Sequence, residues 1–144
     1  DGVTFVDDYA HLPREISAVM AAAKTSDDSW GRVVAVFQPN RYNRMAVMSD
    51  EYSMAFVDAD VVVITDIYAS GTQKIEGVTG HLVVDAVTRA QVNSQVHWHE
   101  ERTSLAQFVN RILRPGDVCI SMGCGDIESL PRELLDVRSG VTRS

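Results

Sequence analysis

Cysteine is scarce in this 144-residue sequence. Only Cys119 and Cys124 occur, five positions apart, with no second pair and no histidine cluster at ligand spacing. A disulfide framework and a zinc site are both excluded on that pattern, and reduced, buried thiols are the expectation. Aromatic residues make up 7%, and 13 Lys+Arg stand against 20 Asp+Glu for a formal charge of −7. That balance argues against a surface built to hold nucleic acid or anionic lipid. No apolar run approaches the ~20 residues that span a bilayer, and no charged-then-apolar leader opens the sequence. A soluble protein with neither nucleic acid nor membrane as partner is expected. The initiating Met is also missing before Asp1, which leads to the expectation that this stretch belongs to a longer chain. Three chemical signatures are lacking as well: a Gly-x-x-x-x-Gly-Lys-Ser/Thr phosphate loop, a Gly-x-Ser-x-Gly elbow, and any local Cys/His or Ser/His/Asp set. No complete catalytic apparatus is expected within these residues.

What is present is 45% apolar, enough for the core of one domain. Val3–Val6 reads as a buried strand followed by a polar loop, and Pro13 to about Lys24 as a helix with Ile16, Val19, Met20 and Ala23 on one stripe. Arg32–Phe37 is almost continuously apolar, as expected of a strand covered on both faces. Met45, Met48, Tyr52, Ala55 and Phe56 describe a second helix and Val61–Thr65 a third strand. A helix through Val83, Ala86, Val87 and Ala90, a short strand Gln95–Trp98, a helix through Leu105, Phe108, Val109 and Ile112, and a strand Asp117–Met122 follow. Asp126–Val137 closes the pattern as a helix capped by Asp126, with a frayed tail from Ser139. Strict alternation with short connections predicts an α/β fold. Its form is a doubly wound, mostly parallel open sheet of five to six strands with helices on both faces, Rossmann-like in architecture.

In such a sheet the loops leaving the strand carboxyl ends converge on one edge. The first, Asp7-Asp8-Tyr9-Ala10-His11-Leu12, gathers two carboxylates, a phenol and an imidazole. Asp8 could accept hydrogen bonds from a ribose, while Tyr9 and His11 could line a pocket and His11 could exchange a proton near neutral pH. Turn-forming and packing roles are the competing explanation. The second loop, Gln38–Arg44, places Arg41 and Arg44 three residues apart at a strand end and helix start, where two guanidiniums on one helical face would bind a carboxylate or phosphate. Pairing with Asp50 or Glu51 is the alternative. Asp66–Gly71 offers one carboxylate and one phenol. Gly123-Cys124-Gly125-Asp126 is a glycine turn ahead of a helix, which suits close backbone approach to a phosphate and suits tight packing equally well. His97 and His99 flank Trp98 without a third ligand nearby, so a metal is not expected there. His81 is expected to be exposed.

Taken together, Asp7-Asp8-Tyr9-Ala10-His11-Leu12-Pro13-Arg14-Glu15-Ile16, Phe37-Gln38-Pro39-Asn40-Arg41-Tyr42-Asn43-Arg44, Thr65-Asp66-Ile67-Tyr68-Ala69 and Met122-Gly123-Cys124-Gly125-Asp126-Ile127 closely resemble the carboxyl-terminal domain of the Mur ligases. The likeness runs over almost the whole chain in the right order and is nearest to members that add alanine. It implies a cytoplasmic bacterial ligase of peptidoglycan synthesis that uses ATP and Mg2+. Its substrates would be UDP-N-acetylmuramate and L-alanine, joined by amide formation through an acyl phosphate. It further implies that residues 1–144 are the last of three domains, with the phosphate loop and most of the Mg2+ ligands on the central one and the UDP-sugar site on the first. By the same resemblance Asp8 would contact the nucleotide, and Tyr9, His11, Arg41 and Arg44 would surround the alanine. No residue here would be catalytic alone. Leu12 and Asn40 stand where the family commonly has His, and Cys124 where it has Ala. The family domain usually starts with an additional edge strand, so an open sheet edge is expected. A related ligase that recycles a preformed tripeptide, and a non-catalytic module binding a nucleotide or carboxylate, are the alternatives.

Overall fold

A computed structural model describes residues 2–26, 30–90 and 94–140. Five strands, β1 (Thr4–Asp8), β2 (Arg32–Phe37), β3 (Val61–Ile64), β4 (Gln95–Trp98) and β5 (Asp117–Met122), form one all-parallel sheet in the order β1-β5-β2-β3-β4. Between them run α1 (Pro13–Lys24), α2 (Tyr42–Met48), α3 (His81–Ala90) and α4 (Leu105–Ile112), and α5 (Leu130–Ser139) follows β5.

Period-two alternation sorts the strand side chains into two cores. Val33, Ala35, Phe37, Val62, Ile64, Val118, Ile120 and Met122 face α1, α2 and α3. Val34, Val36, Val61, Val63 and Cys119 face α4 and α5. β2 after Arg32 and the whole of β3 are therefore apolar at every position, because both of their faces are covered. Phe37 anchors the first core, with its ring 5.2 Å from that of Tyr52 and 5.7 Å from that of Phe56.

Several sequence-based expectations need correction. β1 runs to Asp8 and is an edge strand with Thr4, Val6 and Asp7 exposed, not a buried one. Its free side is the open edge expected from the resemblance. The apolar spacing from Met45 to Phe56 belongs to a short α2, a 3₁₀ turn (Ser49–Tyr52) and further turns, not to one helix. Tight i, i+3 winding keeps the same residues inward, so the periodicity survives while the helix does not. Asp126 does not cap α5. It opens a separate 3₁₀ turn (Asp126–Ser129), and its carboxylate accepts from Gln38 Nε2 at 2.7 Å and Arg102 Nε at 3.0 Å. The tail expected from Ser139 is helical at Ser139, and residues 141–144 lie outside the described residues.

Among the described residues no helix is long and apolar enough to cross a membrane. At the amino-terminal end of the sheet, Asp117 is buried and takes a bidentate pair from Arg32, with Nε–Oδ1 at 2.9 Å and Nη2–Oδ2 at 2.8 Å. It also accepts the Arg114 amide at 2.7 Å. That hydrogen-bonded pairing strengthens the proton affinity of the Arg32 guanidinium.

Candidate functional site

The chain advances from β1 to β4 through helices on one face and then returns through α4 on the other to insert β5 between β1 and β2. Loops leaving β1 and β2 turn to one face and the loop leaving β5 turns to the opposite face. Such a reversal opens a crevice at the carboxyl ends of these strands.

On one side of β5, the Asp8 carbonyl accepts from Gly123 N at 3.4 Å and its Oδ1 accepts from Ala10 N at 2.9 Å. One carboxylate oxygen closes the turn, and among the described residues no hydrogen bond reaches the other. Asp7 turns the other way, accepting from Ser121 Oγ at 2.8 Å. Burial pushes its carboxyl above the usual range, with the Ser121 hydroxyl opposing the shift. Tyr9 is 70% exposed and stands edge-on to the His11 ring at 5.7 Å.

His11 is held by three groups. Tyr52 Oη donates to its carbonyl at 2.6 Å. Its Nδ1 lies 3.2 Å from the Tyr9 carbonyl oxygen and 3.4 Å from Glu15 Oε1. Both neighbours only accept, so Nδ1 carries a proton. Glu15 sits at the third position of α1, where its Oε1 accepts the amides of His11 and Leu12, each at 3.1 Å. Those amide bonds hold its carboxyl below the usual range, with the charges of His11 and Arg44 adding to the effect.

On the other side of β5, Arg41 does not lie on α2. Its φ of 71° and ψ of 116° place it just ahead of the helix, so the shared helical face expected for Arg41 and Arg44 is not what relates them. Arg41 is exposed, and among the described residues no carboxylate pairs with it. Arg44 is half-buried, and its Nη1 donates to Asn40 Oδ1 at 3.0 Å. Asp50, offered by the sequence as a partner for these arginines, pairs instead with Arg89 at 2.7 Å. Arg44 bears electrostatically on both Glu15 and Tyr52, which places it beside the His11 turn. The His11 turn and the Arg41–Arg44 loop thus share one crest across the β5 turn.

Two further residues lock that crest: Tyr68, which the sequence offered only as the phenol of the Asp66–Gly71 loop, and Thr72, which it did not offer. Tyr68, in the loop after β3, donates its amide to the Pro39 carbonyl and accepts the Arg41 amide, both at 2.9 Å. Thr72 Oγ1 accepts the Tyr42 amide at 3.0 Å. This strap holds Arg41 in its unusual backbone conformation. The Tyr68 ring lies over the glycine turn: a Cβ on Gly125 would come 2.5 Å from Tyr68 Cγ and 2.7 Å from Gln38 Oε1. The turn needs glycine for packing, the plainer of the two readings the sequence allows. Gln38, buried at the end of β2, donates to Asp126 and accepts the Ile127 amide at 3.3 Å. Its signal was a polar residue directly after a buried apolar strand. Tyr68 carried no comparable signal, because its role is made by backbone groups and by a contact across many residues.

The remaining candidates lie elsewhere. His99 stacks on Phe108 at 4.7 Å and pairs with Ser104 Oγ at 2.8 Å, while His97 packs edge-on against the same ring at 5.6 Å. His81 meets Asp85 at 3.2 Å. Among the described residues no three His, Cys, Asp or Glu side chains gather as a metal site. Both cysteines are free; Cys119 is buried, whereas Cys124 is partly open, contrary to the expectation of two buried thiols. Burial pushes the Cys119 thiol up to about 12, so brief treatment with a thiol reagent at pH 8 should label Cys124 and spare Cys119 until the protein unfolds. Peptide mass mapping checks this, and equal labelling of the two in the native state would contradict it.

Fold and crest together define the class: a doubly wound α/β domain whose polar residues gather at the topological switch point of its sheet. Residues 1–125 match the family described as Mur ligase, glutamate ligase domain. The chain belongs to the Mur ligase family. It is 43% identical over 136 residues to UDP-N-acetylmuramate–L-alanine ligase of Gloeothece citriformis, covering 93% of this chain and 27% of that protein. It is 44% identical over 135 residues to the protein of the same name from Gloeobacter violaceus, covering 94% of this chain and 28% of that one. The chain therefore spans less than a third of the length of these relatives. Among solved structures, a murein peptide ligase from Psychrobacter arcticus superposes with a TM-score of 0.70 at 17% identity, covering 99% of this chain and 28% of that one. That likeness is one of fold.

Proposed function

We propose that residues 1–144 form the carboxyl-terminal domain of a three-domain, ATP-dependent UDP-N-acetylmuramate–L-alanine ligase, a cytoplasmic enzyme of bacterial peptidoglycan synthesis. The observation that carries this reading is the shared crest, where Arg41, which no carboxylate among the described residues pairs with, and Arg44, tethered by Asn40, stand with the His11 imidazole. Arg41 and Arg44 take the alanine carboxylate, leaving its amine to attack the acyl phosphate formed on UDP-N-acetylmuramate. Their work is orientation and charge pairing. Tyr9 and His11 bound the small side chain. The names of the relatives at 43% and 44% identity support the same substrate.

The nucleotide reading rests on Asp8, whose second carboxylate oxygen is free to accept from a ribose diol while the first closes the turn. ATP supplies the phosphoryl group that activates the muramate carboxylate. The crest contributes no cluster of acidic side chains for Mg2+, so this reading gives the ion to the central domain. Closure of this domain over the other two would exclude water from the acyl phosphate.

The test uses the full-length protein with UDP-N-acetylmuramate, ATP, Mg2+ and either L-alanine or the L-alanyl-D-glutamyl-diaminopimelate tripeptide. ADP release and a UDP-N-acetylmuramoyl-L-alanine product are expected with alanine. Turnover with the tripeptide alone would give the protein to the recycling ligases. Failure with both would favour a non-catalytic binding module.

A further inference from the structure

We infer that Asn40 is a positioning residue for ligand binding, a neutral tether that fixes the Arg44 guanidinium without quenching its charge. This rests on the functional reading above and adds a residue to it. Asn40 is 4% exposed. Its backbone is clamped from both sides, since the Pro39 carbonyl and the Arg41 amide both bond to Tyr68 at 2.9 Å and Asn40 itself bridges Tyr68. The side chain therefore leaves the end of β2 in a fixed direction. Arg44 has donors only, so the amide atom facing its Nη1 at 3.0 Å must be the oxygen.

One donor of the fork is thereby used and the others are left for an incoming carboxylate. The choice of an amide has an electrostatic consequence. Glu15 lies near enough to Arg44 for the guanidinium to strengthen its acidity, so a released Arg44 would have an anionic alternative on α1. Asn40 holds the cation away from that alternative with a neutral acceptor. A carboxylate in the same place would hold it equally well while cancelling the charge the ligand needs. A carboxylate at a buried position has a stability cost whatever the role of the residue, so the alanine KM, not the melting temperature, separates a charge-sparing tether from a purely structural side chain.

The test is steady-state kinetics of the full-length protein with L-alanine varied at saturating ATP and UDP-N-acetylmuramate, together with thermal melting. N40D should raise the KM for L-alanine about tenfold or more, with kcat and the KM for ATP within about twofold of the parent. N40H, whose neutral ring can accept from Arg44 through a nitrogen, should stay within about threefold. N40A should fall between them. Should N40D melt below the assay temperature, N40A against N40H decides: rescue by histidine is expected, and equal KM values for the two would overturn the inference. An alanine KM for folded N40D within about twofold of the parent, or a parallel rise in the KM for ATP, would also overturn it. A parent enzyme that does not use L-alanine would remove the functional reading, and this inference with it. A parent that does, with Asn40 variants unchanged, would remove this inference alone.

Discussion

Replacing Arg41 by Ala in the full-length enzyme raises the KM for L-alanine about tenfold or more, the scale of a lost charge-assisted pair. The melting temperature should hold or rise slightly. Both halves follow from the same geometry. Arg41 is exposed, and among the described residues no carboxylate pairs with it, so truncation breaks no ion pair of the folded domain. Its backbone is held ahead of α2 at φ 71° by the hydrogen bond its amide donates to the Tyr68 carbonyl, and that bond survives the substitution. A KM rise confined to alanine, with ATP unaffected, would separate this arginine from the nucleotide contacts assigned to Asp8. Unchanged alanine kinetics would remove Arg41 from the amino acid site.

Asp117→Ala should have the opposite profile. The carboxylate is buried at the far end of the sheet and satisfies two donors of Arg32 and the amide of Arg114. Its removal leaves the Arg114 amide without its acceptor and a half-buried guanidinium holding only the Ile112 carbonyl, which Nη2 reaches at 2.9 Å, at a cost of about 3 kcal/mol. Urea unfolding of the isolated domain and of the variant measures this directly. Alanine and ATP KM values of the full-length variant, measured well below its melting point, should match the parent. A loss of less than about 1 kcal/mol would show that water replaces the carboxylate, and the pair would then be ordinary surface electrostatics.

These two substitutions mark the limits of what the sequence disclosed. β2, β3 and β5 were readable because strands covered on both faces are almost continuously apolar, and α1 because Pro13, Glu15 and the Ile16–Met20 stripe agree. The order β1-β5-β2-β3-β4 was not readable, since pairing β5 between β1 and β2 joins residues some eighty or more positions apart, such as Val34 and Cys119. The Asp8–His11 and Arg41–Arg44 loops were legible as clusters of unusual side chains at strand ends. The strap that holds Arg41 was not, because Tyr68 acts through its amide and carbonyl, and backbone groups have no composition. Asn40 was visible only as a departure from the family pattern, and its tie to Arg44 shows only in the folded chain. The helical face shared by Arg41 and Arg44 failed for a related reason: an arginine ahead of a helix start looks the same in sequence as one inside it.

The conformation of Arg41 has an evolutionary corollary. A large side chain in that region of backbone space costs about 1 kcal/mol or more, which a glycine would not incur and an asparagine would incur less. Random substitution toward either would yield a sturdier fold, and only growth under limiting amino acid would weed such variants out. Thermal robustness and substrate capture thus pull against each other at a single codon, so a library screened for heat tolerance alone should lose this arginine early.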